Sequence, residues 1–171
     1  MNRVGVIGGG QLAWMMAGAA QTLALELVVQ TPSGADPAVA IADGVVLGAI
    51  ADAVATRQLA TQCDVITFEN EFVDLPALSH LADQGVEFRP RLSSLAPLLD
   101  KYDQHSYLRD LELPVPIFVE LDEAAAIALP APLTFPLVAK ARRHGYDGQG
   151  THLIRDQAAL MDCWQPGGAD R

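Results

Sequence analysis

Phe135-Pro136-Leu137-Val138-Ala139 is an apolar run that ends on Lys140, and Arg142 and Arg143 follow almost at once. Glycines stand at 145, 148 and 150, and a second apolar run, His152-Leu153-Ile154, comes next. Apolar run, glycine-spaced loop and apolar run predict strand, loop, strand. The glycines leave backbone N–H groups free to wrap an anion at close range. Lys140, Arg142 and Arg143 supply positive charge beside them, so the chemistry suggested is phosphate handling. Gly-rich hairpins flanked by basic residues also occur on ordinary surfaces, and scarcity tips the balance here. The chain has 11 Lys plus Arg, and only Lys101 and Lys140 among them are lysines.

Three other stretches carry residues of the right type. Gly8-Gly9-Gly10-Gln11-Leu12-Ala13 fits the G-x-G-x-x-G/A fingerprint of dinucleotide-binding turns, between a predicted strand and a predicted helix. Its amides and the helix start are expected either to hold a phosphate or to make a tight turn for helix–sheet packing. A nicotinamide enzyme wants an acid at the end of the second strand, and this one ends Val29-Gln30-Thr31. Glu69 and Glu71 follow the fourth strand. If the backbone stays extended they share a face at the carboxyl end of the sheet, placed to hold hydroxyls or an amine. The alternative is a pair of solvated acids capping the next helix. Lys101 starts a helix, where its charge opposes the dipole, which favours a ligand role. Arg89, Arg91 and Lys101 form a second candidate basic group. His80, His105, His144 and His152 lack metal-ligand spacing and are expected at exposed positions, and Cys63 and Cys163 have no motif spacing.

The elements that must position these residues alternate at short spacing. Strands are predicted at 4–7, 25–29, 45–47, 63–68 and 86–88. Helices are predicted at 11–24, with Leu12, Met15, Met16, Ala19 and Leu23 on one face, at 52–62 capped by Asp52, and at 74–84. This alternation predicts an α/β fold with a parallel sheet and helices on both faces. Beyond Arg89-Pro90-Arg91 the pattern changes. Helices are expected at 93–99, capped by Ser93, at 100–111, with Asp100 as a candidate cap, at 122–129 and at 156–163, with a strand at 117–119 and a structureless tail from Trp164 to Arg171.

Composition sets the outer bounds. Of 171 residues half are hydrophobic, enough for one large or two small cores, and the formal net charge is −10. That charge argues against nucleic acid and anionic membrane as partners. The N-terminus runs straight into a strand pattern and no apolar run approaches a membrane span, so a cytoplasmic location is expected.

GGGQLAWMM, ITFENEF, DKYDQHSYL and FPLVAKARRHGYDGQG together resemble the N5-carboxyaminoimidazole ribonucleotide synthases, ATP-grasp enzymes of purine biosynthesis that form the ATPase subunit of phosphoribosylaminoimidazole carboxylase. The likeness runs from about residue 3 to about residue 160. It implies a Rossmann-like preATP-grasp domain at 1–92 and an incomplete ATP-grasp region at 93–171, the N-terminal portion of such an enzyme. It implies carboxylation of 5-aminoimidazole ribonucleotide with ATP and bicarbonate, and Mg²⁺ bound by carboxylates in a C-terminal half not present in this sequence. Full-length members are expected to be homodimers. By resemblance, Lys101, Lys140 and the loop Gly145, Tyr146, Asp147, Gly148, Gln149, Gly150 and Thr151 contact ATP. Gly10, Gln11, Leu12, Glu69 and Glu71 lie at the ribonucleotide site. No catalytic residue and no metal ligand is assigned. The chain departs from the family at Ala13-Trp14, where Gly-Arg is usual, and at His105, where a second lysine is common. The 171 residues alone are expected to be inactive. The rival readings are a dinucleotide-binding oxidoreductase or sensor, and a non-catalytic nucleotide-binding remnant.

Overall fold

The structure is a computed structural model that describes residues 2–143, 145 and 149–164. The chain divides into two compact units, the first ending at Ala96 and the second starting at Pro97.

The first unit is built on a parallel sheet of β1 (Arg3–Ile7), β2 (Glu26–Thr31), β3 (Gly44–Leu47) and β4 (Val65–Phe68), in the order β3-β2-β1-β4. Its strands read as near-continuous apolar runs because both faces are covered. On one face Val6, Leu27 and Val29 pack with Ala13, Ala17 and Ala20 of α1 (Gln11–Thr22) and with Ala38. On the other face lies α2 (Ala53–Ala60), whose Leu59 is fully buried. A Cβ at Gly5 would meet Leu59 Cγ at 2.9 Å and Ile66 Cδ1 at 2.6 Å, so the glycine is what lets α2 come this close. Helix α3 (Leu75–Asp83) and the single turn α4 (Leu92–Leu95) complete the unit.

Helix α1 turns a different face inward from the one its large residues outline. Leu12, Met15 and Leu23 are 52%, 57% and 68% exposed, while the alanines at 13, 17 and 20 meet the sheet. The small side chains let the helix lie close to the strands, and close packing rewards that approach. Two further expectations are corrected. Residues 86–88 contribute one parallel bridge, Ile66 to Phe88, rather than a fifth strand. Ser93 lies inside α4, whose N-cap is Arg91, so it caps nothing.

The second unit holds α5 (Lys101–Asp110), α6 (Glu123–Ile127), α7 (Gln157–Cys163) and a two-stranded antiparallel sheet of β5 (Leu137–Lys140) and β6 (Thr151–Ile154). The expected strand at 117–119 does not form. Pro114 and Pro116 remove two backbone donors just before it. Phe118 instead anchors the segment, edge-on to Tyr102 at 5.5 Å and to His105 at 5.1 Å.

Among the described residues the apolar side chains buried in the second unit are Ala125, Ala126, Ile154 and Leu160, against a large buried set in the first. Ile117, Ile127, Val138 and Leu153 are all more than half exposed. So little burial gives a low free energy of local opening. Limited proteolysis with thermolysin should therefore cut beyond about Leu111 first and leave a resistant fragment containing the parallel sheet. Cleavage of both units at equal rates would contradict this.

Candidate functional site

Two loci carry the candidate residues, one in each unit. In the first, β1 runs out into Gly8-Gly9-Gly10 and α1 begins. The Gly8 amide donates to the Gln30 carbonyl at 2.9 Å, and the Ala38 amide to the Gly9 carbonyl at 2.9 Å, which pins the turn. Gly10 is the N-cap of α1 and offers no capping side chain. The acceptor comes from the end of β4: the Glu69 carboxylate takes N–H bonds from Gly10 at 2.9 Å, Leu12 at 3.1 Å and Ala13 at 3.2 Å.

This settles what the glycines serve. A Cβ at Gly10 would lie 2.6 Å from Glu69 Oε1, and one at Gly8 would collide with the same side chain. The turn is shaped around a carboxylate of its own chain, placed where a dinucleotide fold puts pyrophosphate. The phosphate reading of this turn is therefore corrected. So is the paired-acid reading: β4 stops at Phe68, and the backbone bends through 69–71, so strand alternation does not place Glu69 and Glu71 together. Nor do the two acids cap the next helix, because Asp74 does so by accepting from the Ala77 amide. Gln11 is exposed and Glu71 is half-buried, and neither side chain has a hydrogen bond among the described residues. At the end of β2, Gln30 is wholly buried and satisfied: it donates to the Ala49 carbonyl at 2.7 Å and accepts from Thr56 Oγ1 at 2.8 Å. Thr31 Oγ1 is bonded to the Asp36 carboxylate.

The second locus joins the start of α5 to the end of β5. Lys140 pairs with Thr151 in the sheet register, and the Ala141 amide donates to the Gly150 carbonyl at 2.7 Å, closing the base of the loop. Gly150 has φ +69°, and a Cβ there would sit 2.8 Å from that of Ala141. The Lys101 amide donates to the Arg142 carbonyl at 2.8 Å. That bond sets the origin of one lysine two residues from the other. Neither Lys101 nor Lys140 has an ion-pair partner among the described residues. Gly145 is half-buried and Gln149 exposed, while His144, Tyr146, Asp147 and Gly148 lie outside the described residues.

The arginines behave differently. Arg142 pairs with Asp100 at 2.8 Å, with Asp103 at 3.7 Å and with Glu120, and its guanidinium lies 5.3 Å from the centre of the Tyr102 ring. Arg143 reaches Asp100 at 3.4 Å. The expectation that both add free positive charge beside the loop is corrected: acids of the same unit hold them. Arg89 is likewise paired with Glu87. Burial pushes the Asp100 carboxyl up, but bonds from Arg142 and from the Asp103 and Tyr102 amides, with the charge of Arg142, outweigh it and hold its pKa below the ordinary value. Sequence reasoning saw Asp100 only as a helix cap and did not see Glu120. The one hint was the aspartate directly before an isolated lysine. Of the histidines, His80 and His152 are exposed as expected, and His105 is half-buried against Phe118.

With this geometry in view, comparison with known proteins is decisive for the family. The family model described as "Ribonucleotide synthetase preATP-grasp domain" matches residues 1–97. The chain belongs to the ribonucleotide synthetase preATP-grasp family. A second family model, "ATP-grasp domain", matches residues 106–170 of this preATP-grasp protein. The chain is 62% identical over 163 residues to N5-carboxyaminoimidazole ribonucleotide synthase of Synechocystis sp., covering 95% of itself and 41% of that relative. It superposes on the ADP complex of the Staphylococcus aureus N5-carboxyaminoimidazole synthetase with TM-score 0.85 and 31% identity, over 94% of this chain and 43% of that one. The Aspergillus clavatus synthase in complex with ADP and 5-aminoimidazole ribonucleotide gives TM-score 0.80 and 30% identity, over 94% and 42%. The chain thus spans about two fifths of the length of the curated relatives it matches. A Rossmann-like preATP-grasp domain followed by an ATP-grasp region is its fold. No helix among the described residues is long and apolar enough to cross a membrane.

The preATP-grasp turn and Asp100 can each be tested. Glu69→Ala strips the acceptor from three amides and should cost about 1–3 kcal/mol. Urea unfolding, read by Trp14 fluorescence in a Trp164→Phe background, measures it. In the same background NADH should not bind, and saturable NADH fluorescence would reject the carboxylate-filled turn. For Asp100, the lowered carboxyl contributes stability that is complete above the ordinary value of 3.8 and is lost as pH falls through the still lower folded value. Wild type should therefore exceed Asp100→Asn in stability at neutral pH, and the gap should close on strong acidification. A gap that persists in acid would contradict the sign.

Proposed function

We propose that this chain supplies the ribonucleotide side and the triphosphate side of an ATP- and bicarbonate-dependent carboxylation of 5-aminoimidazole ribonucleotide to N5-carboxyaminoimidazole ribonucleotide. Residues 1–92 form the preATP-grasp domain and 93–171 the ATP-grasp portion. The observation that carries the reading is a pair of lysines without ionic partners among the described residues, brought to one locus by the bond from the Lys101 amide to the Arg142 carbonyl.

In this reading the ammonium groups of Lys101 and Lys140 lie against the phosphates and offset charge as the γ-phosphoryl group leaves ADP for a bicarbonate oxygen. The carboxyphosphate so formed hydrolyses in water. Gly145, Tyr146, Asp147, Gly148, Gln149, Gly150 and Thr151 form the cover that excludes it. The amine of the ribonucleotide then attacks the carboxyl carbon and inorganic phosphate departs. Gly10, Gln11, Leu12, Glu69 and Glu71 lie at the site of that ribonucleotide. Glu69 acts through the turn it organises, and Gln11 and Glu71 offer side-chain groups directly. Among the described residues no cluster of three His, Cys, Asp or Glu side chains could hold a metal. The ligands of Mg²⁺ belong, on this reading, to the further length of the relatives. Turnover belongs to that longer protein, as a cytosolic homodimer without nucleic-acid or membrane partners.

The test is nucleotide binding by this chain. A fluorescent ATP analogue should bind, and Lys101→Met or Lys140→Met should each weaken it about 10- to 100-fold, since a hydrogen bond to a charged group contributes about 1.5–3 kcal/mol. Affinity that survives both substitutions would reject the reading.

A further inference from the structure

We propose that Asp100 is a positioning residue for the triphosphate site, a buried carboxylate that holds the backbone origins of Lys101 and Lys140 in one fixed relation. The inference rests on the nucleotide reading above and adds to it a residue that touches no substrate.

Its coordination is saturated. Asp100 is 2% exposed. Oδ1 accepts from the Tyr102 amide at 2.8 Å, the Asp103 amide at 3.3 Å and Arg142 Nε at 3.0 Å. Oδ2 accepts from Arg142 Nε at 2.8 Å and Arg143 Nε at 3.4 Å. A carboxylate has about four lone-pair sites, so nothing remains for a ligand. The same arginine that Asp100 grips lends its carbonyl to the Lys101 amide. A closed circuit results, from the Asp100 side chain through Arg142 to Lys101 and back along one peptide unit. It bridges 42 residues of sequence.

A helix cap alone does not call for this residue. Asparagine caps about as well as aspartate, because the task is to accept amide bonds. What asparagine lacks is the charge that draws two guanidinium groups inward from β5's end. A lysine side chain is long and flexible, and its ammonium finds a phosphate repeatedly only when its backbone is held. The cap therefore serves α5, and the charge serves the lysine pair.

Asp100→Asn separates the two roles. Circular dichroism should be unchanged, exchange of the Lys101 amide by NMR should speed up at least about tenfold, and affinity for the fluorescent ATP analogue should fall about tenfold. Arg142→Gln leaves the cap untouched and should reproduce both changes, and the double variant should lose no more than either single one. If Asp100→Asn fails to fold, Arg142→Gln carries the test. Wild-type exchange at Lys101, or lost affinity with exchange unchanged, overturns the proposal. If even the wild type binds no nucleotide, the lysine reading has failed by itself. Hydrogen exchange then decides alone whether the charge on Asp100 holds Lys101 in place.

Discussion

The first turn of an α-helix carries N–H groups that no helical carbonyl can reach, and this chain meets that need with its own carboxylates. Asp52, Asp74, Asp100, Asp122 and Asp156 each accept amide bonds at the start of α2, α3, α5, α6 and α7. Helix α1 begins on a glycine and has no local acid, so Glu69 arrives from 59 residues away to do the same work. Part of the net charge of −10 is thus structural. The same arrangement governs where a phosphate can bind. A helix start is a ready anion site only while its amides are free, and here a carboxylate occupies them.

The two glycine-rich segments look alike in sequence and answer to different constraints. At Gly8 and Gly10 the missing Cβ makes room for the Glu69 side chain, a demand from inside the fold. At Gly150 the backbone takes a left-handed turn, with its carbonyl bonded to the Ala141 amide, so the hairpin closes just beyond Lys140. One turn consumes its amides, and the other frames a lysine. That difference favours the packing alternative at residue 8 and leaves the phosphate reading at residue 140 in place.

What could be read from the sequence was whatever depends on near neighbours. Alternation of strand and helix, the caps at Asp52 and Asp100 and the strand ending at Lys140 all arise from short-range patterns. The bonds that organise the two loci do not. Glu69 to Gly10 and Asp100 to Arg142 span 59 and 42 residues, and nothing local marks either partner. The face of α1 was obscured for another reason. Leu12, Met15 and Leu23 outline a stripe by their size, but the depth available above the sheet suits alanine. At 117–119 a β-rich tripeptide had no strand to pair with, and aromatic packing of Phe118 took over.

The division of labour between arginine and lysine completes the account. Among the described residues, four cations, Lys101, Lys140, Arg142 and Arg143, stand around β5's end, and three acids, Asp100, Asp103 and Glu120, pair with the two arginines. The acids hold the arginines. A guanidinium offers a planar fork of donors that matches carboxylates and satisfies several at once, as Arg142 does here. Lysine offers a compact charge at the end of a flexible stem, poorly suited to bridging fixed acids and well suited to following a moving anion. With the arginines neutralised in place, the unpaired positive charge among the described residues of this locus resides on the two lysines. An anion approaching an acidic protein would then be drawn to a small site rather than to a broad basic face, because exposed charges farther away are screened within about 8–10 Å at physiological salt.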